Sequence, residues 1–245
     1  MCIRDRYYGL LLFNFLSSIA IGQAFIHAHN DYQQAAPLTN ALWHKVFSLE
    51  ADVYLYNNKL VVAHATKELP AAPTLDSLYL QPIVALFAKH NGRISSDTNY
   101  APILMIDIKE NGAAVLAKLL SMLQVHRSVF DRTINKLAVQ IVISGDRGPI
   151  AAWSTYAPIL FFDGRPYENY DSTTLERVAF IGDGYASYKN NMAGIEQAAV
   201  AIHSKQKLFR LWGYPDTPDM WQQMLQWGVD ILNTDKVEEC REFFK

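Results

Sequence analysis

The sequence predicts an α/β fold, a single-domain (β/α)8 TIM barrel with a hairpin insertion after the second strand. Three observations predict it: eight apolar runs of strand length, a helical pattern after each, and no linker or low-complexity segment between them. The strands are expected at 24–29, 46–53, 102–108, 137–143, 158–162, 177–182, 207–212 and 229–233. Helical patterns follow at 37–45, 74–90, 111–125, 147–154, 172–176, 191–205, 217–227 and 236–243, with start signals at Thr74 and at Thr217 followed by Pro218. The long gap between the second and third strands holds a hairpin, 53–56 and 59–64 around Asn57-Asn58, which carries His64 over the barrel mouth.

With 245 residues, 50% hydrophobic and 19% charged, the chain can bury one large core. A formal charge of −2 with scattered signs provides no basic stripe for nucleic acid and no polybasic membrane patch, so partners belong in the pocket. Cys2 and Cys240 sit at opposite ends, which excludes a disulfide framework and a thiolate metal site. Arg4 and Arg6 precede the apolar stretch 9–22, which ends in small residues. Residues 1–23 therefore read as a signal peptide cleaved near 22–24, residues 24–245 as the barrel domain, and the protein as secreted or periplasmic. The apolar stretch is short of the roughly 20 residues a membrane span needs, so no stable span is expected in the mature chain.

The chemistry gathers at strand ends. His27 with His29, Glu50 with Asp52, and Asp107 with Lys109 are i, i+2 pairs closing apolar runs, so the members of each pair share a face. If the strands are parallel neighbours, three carboxylates, imidazoles that include His64 and one ammonium converge at their C-terminal ends, where such barrels keep active sites. Carboxylates without thiolates make a hard oxygen site suited to Mg²⁺ or Ca²⁺. Two imidazoles with neutral-range pKa values can serve as base and acid, and Lys109 adds a positive charge on the same face.

These residues resemble the glycerophosphodiester phosphodiesterase and phosphatidylinositol-specific phospholipase C-like superfamily. The landmarks are the His29 region, Glu50-Ala51-Asp52-Val53, Leu60-Val61-Val62-Ala63-His64, Asp107-Ile108-Lys109, Trp212 and Gly228-Val229-Asp230-Ile231-Leu232-Asn233-Thr234-Asp235. The branch is divergent, with His-x-His-Asn-Asp-Tyr where the usual enzymes have His-Arg-Gly. The resemblance implies a phosphoric diester hydrolase with one divalent cation on Glu50, Asp52 and Asp107, and His29 and His64 as base and acid. The expected substrate is a glycerophosphodiester or a phospholipid-type head group, attacked by water or by a neighbouring substrate hydroxyl. Expected substrate contacts are His27, Asn30, Lys109 and Trp212, with a role supporting the neighbouring site groups as the alternative for His27 and a turn with Asp31 as the alternative for Asn30. Three positions depart from the pattern: Asn30 stands where a phosphate-binding Arg is usual, Ala65 replaces an Asp, and Asp107 replaces a Glu, the last resembling the sphingomyelinase D branch.

Blander roles compete for the same residues. Asp146, Arg147, Asp163, Arg165 and Asp183 also fall at strand ends, where any of them could bind substrate and loop capping is the ordinary role. His44, His90, His126 and His203 fall on helix patterns and read as packing or surface residues. Two other functions are carried: an amidohydrolase-like or phosphatase-like barrel with a transition metal on His27 and His29, and a catalytically inactive ligand-binding barrel.

Overall fold

The structure, a computed structural model, describes residues 24–245; the expected signal peptide lies outside the described residues. Nine strands form: β1 Phe25–Ala28, β2 Ser48–Tyr56, β3 Lys59–Val62, β4 Ile103–Ile108, β5 Gln140–Gly145, β6 Leu160–Gly164, β7 Val178–Gly184, β8 Phe209–Trp212 and β9 Ile231–Thr234. Eight are parallel and run in ring order β1, β9, β8, β7, β6, β5, β4, β2, with β1 closing onto β2 through His27 opposite Ser48. The ninth, β3, lies antiparallel on β2 and makes the expected hairpin, turning at Asn57 and Asn58, both at positive φ. The fold is thus the predicted barrel. Helices α1 Thr39–Trp43, α2 Gln81–Lys89, α3 Gly112–Leu123, α4 Arg127–Phe130, α5 Ser172–Leu175, α6 Ala193–Ser204, α7 Pro218–Gln226 and α8 Val237–Phe243 accompany it.

Other element ends shift by at most three residues from expectation, and three differences stand out. The helix expected over 74–90 opens as a π-turn, Asp76–Leu80, capped where Thr74 Oγ1 accepts the Ser77 N–H at 3.1 Å, and only then continues as α2, whose first turn accommodates Pro82. The pattern at 147–154 yields only a 3₁₀ segment, Ile150–Thr155, because Gly148 takes φ 66° and Pro149 withholds an N–H. β6 runs two residues past its expected end, which draws Asp163 into the strand.

Each barrel strand is covered on one side by helices and filled on the other by side chains, so most read as continuous apolar runs. Leu104, Ile106, Leu116, Leu119, Trp153 and Phe162 belong to the large core outside the barrel. Ile103, Met105, Val142, Phe180 and Ile231 pack separately inside it. Beyond this apolar floor, toward the C-terminal ends, the inward positions become polar: Asp107 after Met105, Ser144 after Val142, Asn233 after Ile231. That change of chemistry along single strands makes the site.

Candidate active site

Glu50 and Asp52 on β2 and Asp107 on β4 each offer an oxygen within 4.8 Å of the others. The pairing of β2 with β4 sets Asp52 directly opposite Asp107, so strand register holds two of the three carboxylates together. Gly145, on the neighbouring β5, is needed for that approach: a Cβ there would lie 2.6 Å from Asp107 Oδ1 and 2.2 Å from the Ile108 carbonyl.

The carboxylates are unevenly engaged. Asp52 Oδ2 accepts from Tyr32 Oη at 2.8 Å and from Lys109 Nζ at 2.8 Å, and lies 3.3 Å from His64 Nδ1. Its other oxygen, Oδ1, is buried without a hydrogen-bond partner among the described residues. Burial pushes the Asp52 carboxyl up, against the pull of Lys109. Lys109 also bonds Asp107, and although burial by itself lowers an ammonium, Asp107 and Asp52 hold it above its ordinary value. Glu50 receives His27 Nε2 and Arg210 Nη2 on Oε2, at 2.7 and 3.2 Å. An orphaned buried carboxylate oxygen beside two more carboxylates, with no thiolate near, fits a hard divalent cation. The acidic group can hold a metal.

His29 lines a cavity with Glu50 and Asp107, and His64 lies next to Asp52. His29 Nδ1 bonds Asp235 Oδ1 at 2.8 Å. Burial lowers the imidazole, but the Asp235 hydrogen bond and the Glu50 and Asp235 charges outweigh it, and His29 is raised overall. His64 is more exposed, on the rim, with Tyr32 Oη 3.3 Å from its Nδ1. A cavity of about 270 Å³ opens among His29, Glu50, Asp107, Lys109, Arg165 and Trp212.

Of the expected substrate contacts, Lys109 and Trp212 line this cavity. Asn30 lies at a turn of left-handed backbone, φ 46°, and accepts the Tyr32 hydroxyl at 3.2 Å. His27 is corrected: it is fully buried, with Nδ1 on Ser48 Oγ and Nε2 on Glu50, both at 2.7 Å, and has no ring atom free for substrate. Burial holds it well below the usual imidazole range, so it is the neutral ring that orients Glu50. The same contacts leave it unable to share a transition metal with His29.

Sequence reasoning missed three participants. Arg210 is buried, bonds Asn233 Oδ1 through Nε and Nη2 at 3.1 and 2.8 Å, and touches Glu50. The signal was available, because Arg210 and Trp212 are themselves an i, i+2 pair closing a strand. Asp235 pairs in the same way with Asn233. Tyr32 sits on a 3₁₀ turn, Asp31–Gln33, where no strand periodicity points to it.

A (β/α)8 barrel whose mouth joins carboxylates, an ammonium and two imidazoles has the layout of phosphodiester-cleaving barrels. The chain belongs to the AIM6-like phosphodiesterase domain family, whose sequence profile matches residues 18–148, more than half of its length. It is 26% identical over 268 residues to the Altered inheritance of mitochondria protein 6 homolog of Arthroderma benhamiae, covering 89% of this chain and 83% of that protein. Its fold matches a glycerophosphodiester phosphodiesterase from Parabacteroides distasonis, with a TM-score of 0.59 at 18% identity over 91% of this chain and 98% of that one. It also matches an Oleispira antarctica phosphodiesterase solved with the product sn-glycerol-3-phosphate, with a TM-score of 0.58 at 11% identity over 90% and 96% of the two chains.

Proposed function

We propose that the protein is a divalent-cation-dependent phosphoric diester hydrolase acting on a glycerophosphodiester or a phospholipid-type head group. The observation that carries this reading is the unpartnered Asp52 Oδ1 among three converging carboxylates. Glu50, Asp52 and Asp107 would hold Mg²⁺ or Ca²⁺, which when bound polarises the phosphoryl group. The remaining work falls to the chain's own residues. His29, donating Nδ1–H to Asp235, keeps Nε2 as the atom that takes a proton from the attacking hydroxyl. His64, with Nδ1 turned toward Asp52 and Tyr32, gives a proton from Nε2 to the leaving oxygen. Lys109 fixes Asp52 against Asp107 and adds positive charge beside the phosphoryl oxygens.

Incubation of EDTA-treated protein with a glycerophosphodiester, with and without Mg²⁺ or Ca²⁺, tests the reading by release of glycerol phosphate. Cation-dependent release is expected. A folded, cation-supplied protein that cleaves neither this substrate nor a nitrophenyl phosphodiester would be the ligand-binding barrel instead. The mature chain is proposed to begin near residues 22–24 and to be exported; N-terminal sequencing of secreted material checks this.

A further inference from the structure

The cavity is divided by charge. On its β2 and β4 side Glu50 and Asp107 line it, with the buried Asp52 close to both, and one ammonium, Lys109, contacts Asp52 and Asp107. On its β6 and β8 side the balance reverses: Arg165 and Arg210 share one carboxylate, Asp163, at 2.9 and 3.5 Å. A cavity with an acidic half and a basic half is suited to a cation and an anion side by side. Lys109 and Arg210 are both committed to groups within the protein, Arg210 to Asn233, Glu50 and Asp163.

Arg165 is different. Its Nη1 bonds the Gly164 carbonyl at 2.8 Å and Asp163, whereas Nη2 has only a long contact, 3.4 Å, to Ser144 Oγ. Among the described residues nothing accepts from Nε, so the Nε–Nη2 edge remains a fork of donors, the geometry that matches two phosphate oxygens. The guanidinium carbon lies 4.9 Å from the centre of the Trp212 ring. The loop behind it is fixed: the Arg165 N–H donates to Glu168 Oε2 at 2.9 Å and to Tyr170 Oη at 2.7 Å, and Glu168 is paired with Arg147. Gly164 lets this loop close, since a Cβ there would fall 2.5 Å from Tyr170 Oη. A cation held this way loses little freedom when a ligand arrives. Asn30 carries no charge and can offer phosphate oxygens only neutral amide donors.

We propose that Arg165, laid on Trp212 and anchored by Asp163, binds non-bridging oxygens of the substrate's phosphodiester, so that this chain recognises phosphate from β6 and not from the residue following His29. The inference rests on the phosphodiester reading above. It is tested by calorimetric titration of the Mg²⁺-supplied protein with sn-glycerol 3-phosphate, beside KM and kcat for a glycerophosphodiester. Arg165→Gln should weaken binding and raise KM by about 10- to 100-fold, the worth of a charge-assisted pair, with a smaller change in kcat. Arg165→Lys keeps the charge but loses the fork and should recover part of the loss; it also serves if the Gln variant does not fold. Unchanged Kd and KM in either folded variant, with wild-type protein active, would overturn the role of Arg165 and leave the phosphodiester reading intact. A wild-type protein that neither binds nor cleaves would overturn both.

Discussion

Replacing Arg210 with Met removes a buried charge while keeping an unbranched side chain in its place. Arg210 is 3% exposed, and the carboxylates it meets, Glu50 and Asp163, have side chains 7% and 0% exposed. Removing one partner of such a pair typically costs about 3–5 kcal/mol, because the other charge stays buried. Here Glu50 keeps His27 and Asp163 keeps Arg165, which places the loss at the lower end, about 3 kcal/mol. For a domain of this size that lowers Tm by about 6–12 °C, from about 2–4 °C per kcal/mol. Urea and thermal unfolding in EDTA measure it. Repeating the melts with Mg²⁺ or Ca²⁺ adds a second reading: Glu50, relieved of its guanidinium, should bind cation more tightly, so the ion should restore more stability to the variant than it adds to wild type. A loss under about 1 kcal/mol, with equal stabilisation by cation in both proteins, would refute the claim that Arg210 compensates the buried charges of Glu50 and Asp163.

His29→Ala and His64→Ala should each lower turnover of an alkyl phosphodiester by about 10²- to 10⁴-fold with cation binding preserved, and a nitrophenyl phosphodiester should rescue His64→Ala alone; rescue of His29→Ala instead would reverse the assignment of base and acid. Asp235→Asn removes the hydrogen bond and charge that raise His29, so the acid limb of the kcat/KM profile should move to lower pH; an unmoved limb would mean that His29 is not the titrating base. Burial holds His27 neutral well below its unfolded pKa, so its contribution to stability is full above about pH 6.5 and declines progressively below that value, toward the depressed folded-state pKa. Urea titrations at successive pH values should show that decline in wild type and a shallower one in His27→Gln; equal slopes would contradict it.

The barrel and most of its site were legible because both depend on period and order along single strands. Glu50, Asp52, Asp107 and Lys109 were found by the i, i+2 rule, which side-chain alternation imposes on any strand. The same rule is silent on depth within the barrel, and His27 shows why: it lies two residues deeper than His29, beside Ser48 and Glu50, where both of its nitrogens are consumed. Asp163 falls just past the expected strand end at 162, where loop capping is the ordinary role, and the two further residues of β6 make it the buried anchor of two arginines. Tyr32 and the Asp235 contact with His29 join segments about 200 residues apart or sit on irregular backbone, so only tertiary structure reveals them.

The central claim is that Glu50, Asp52 and Asp107 form a single hard-cation site that phosphodiester cleavage requires. Titration of EDTA-treated protein with Mg²⁺ and Ca²⁺, with metal stoichiometry and glycerophosphodiester turnover read on the same samples, tests it most directly. One ion per chain is expected, with turnover rising in step with occupancy and both lost in Glu50→Gln. Turnover that survives chelation, or a stoichiometric zinc ion held through histidine, would contradict the claim.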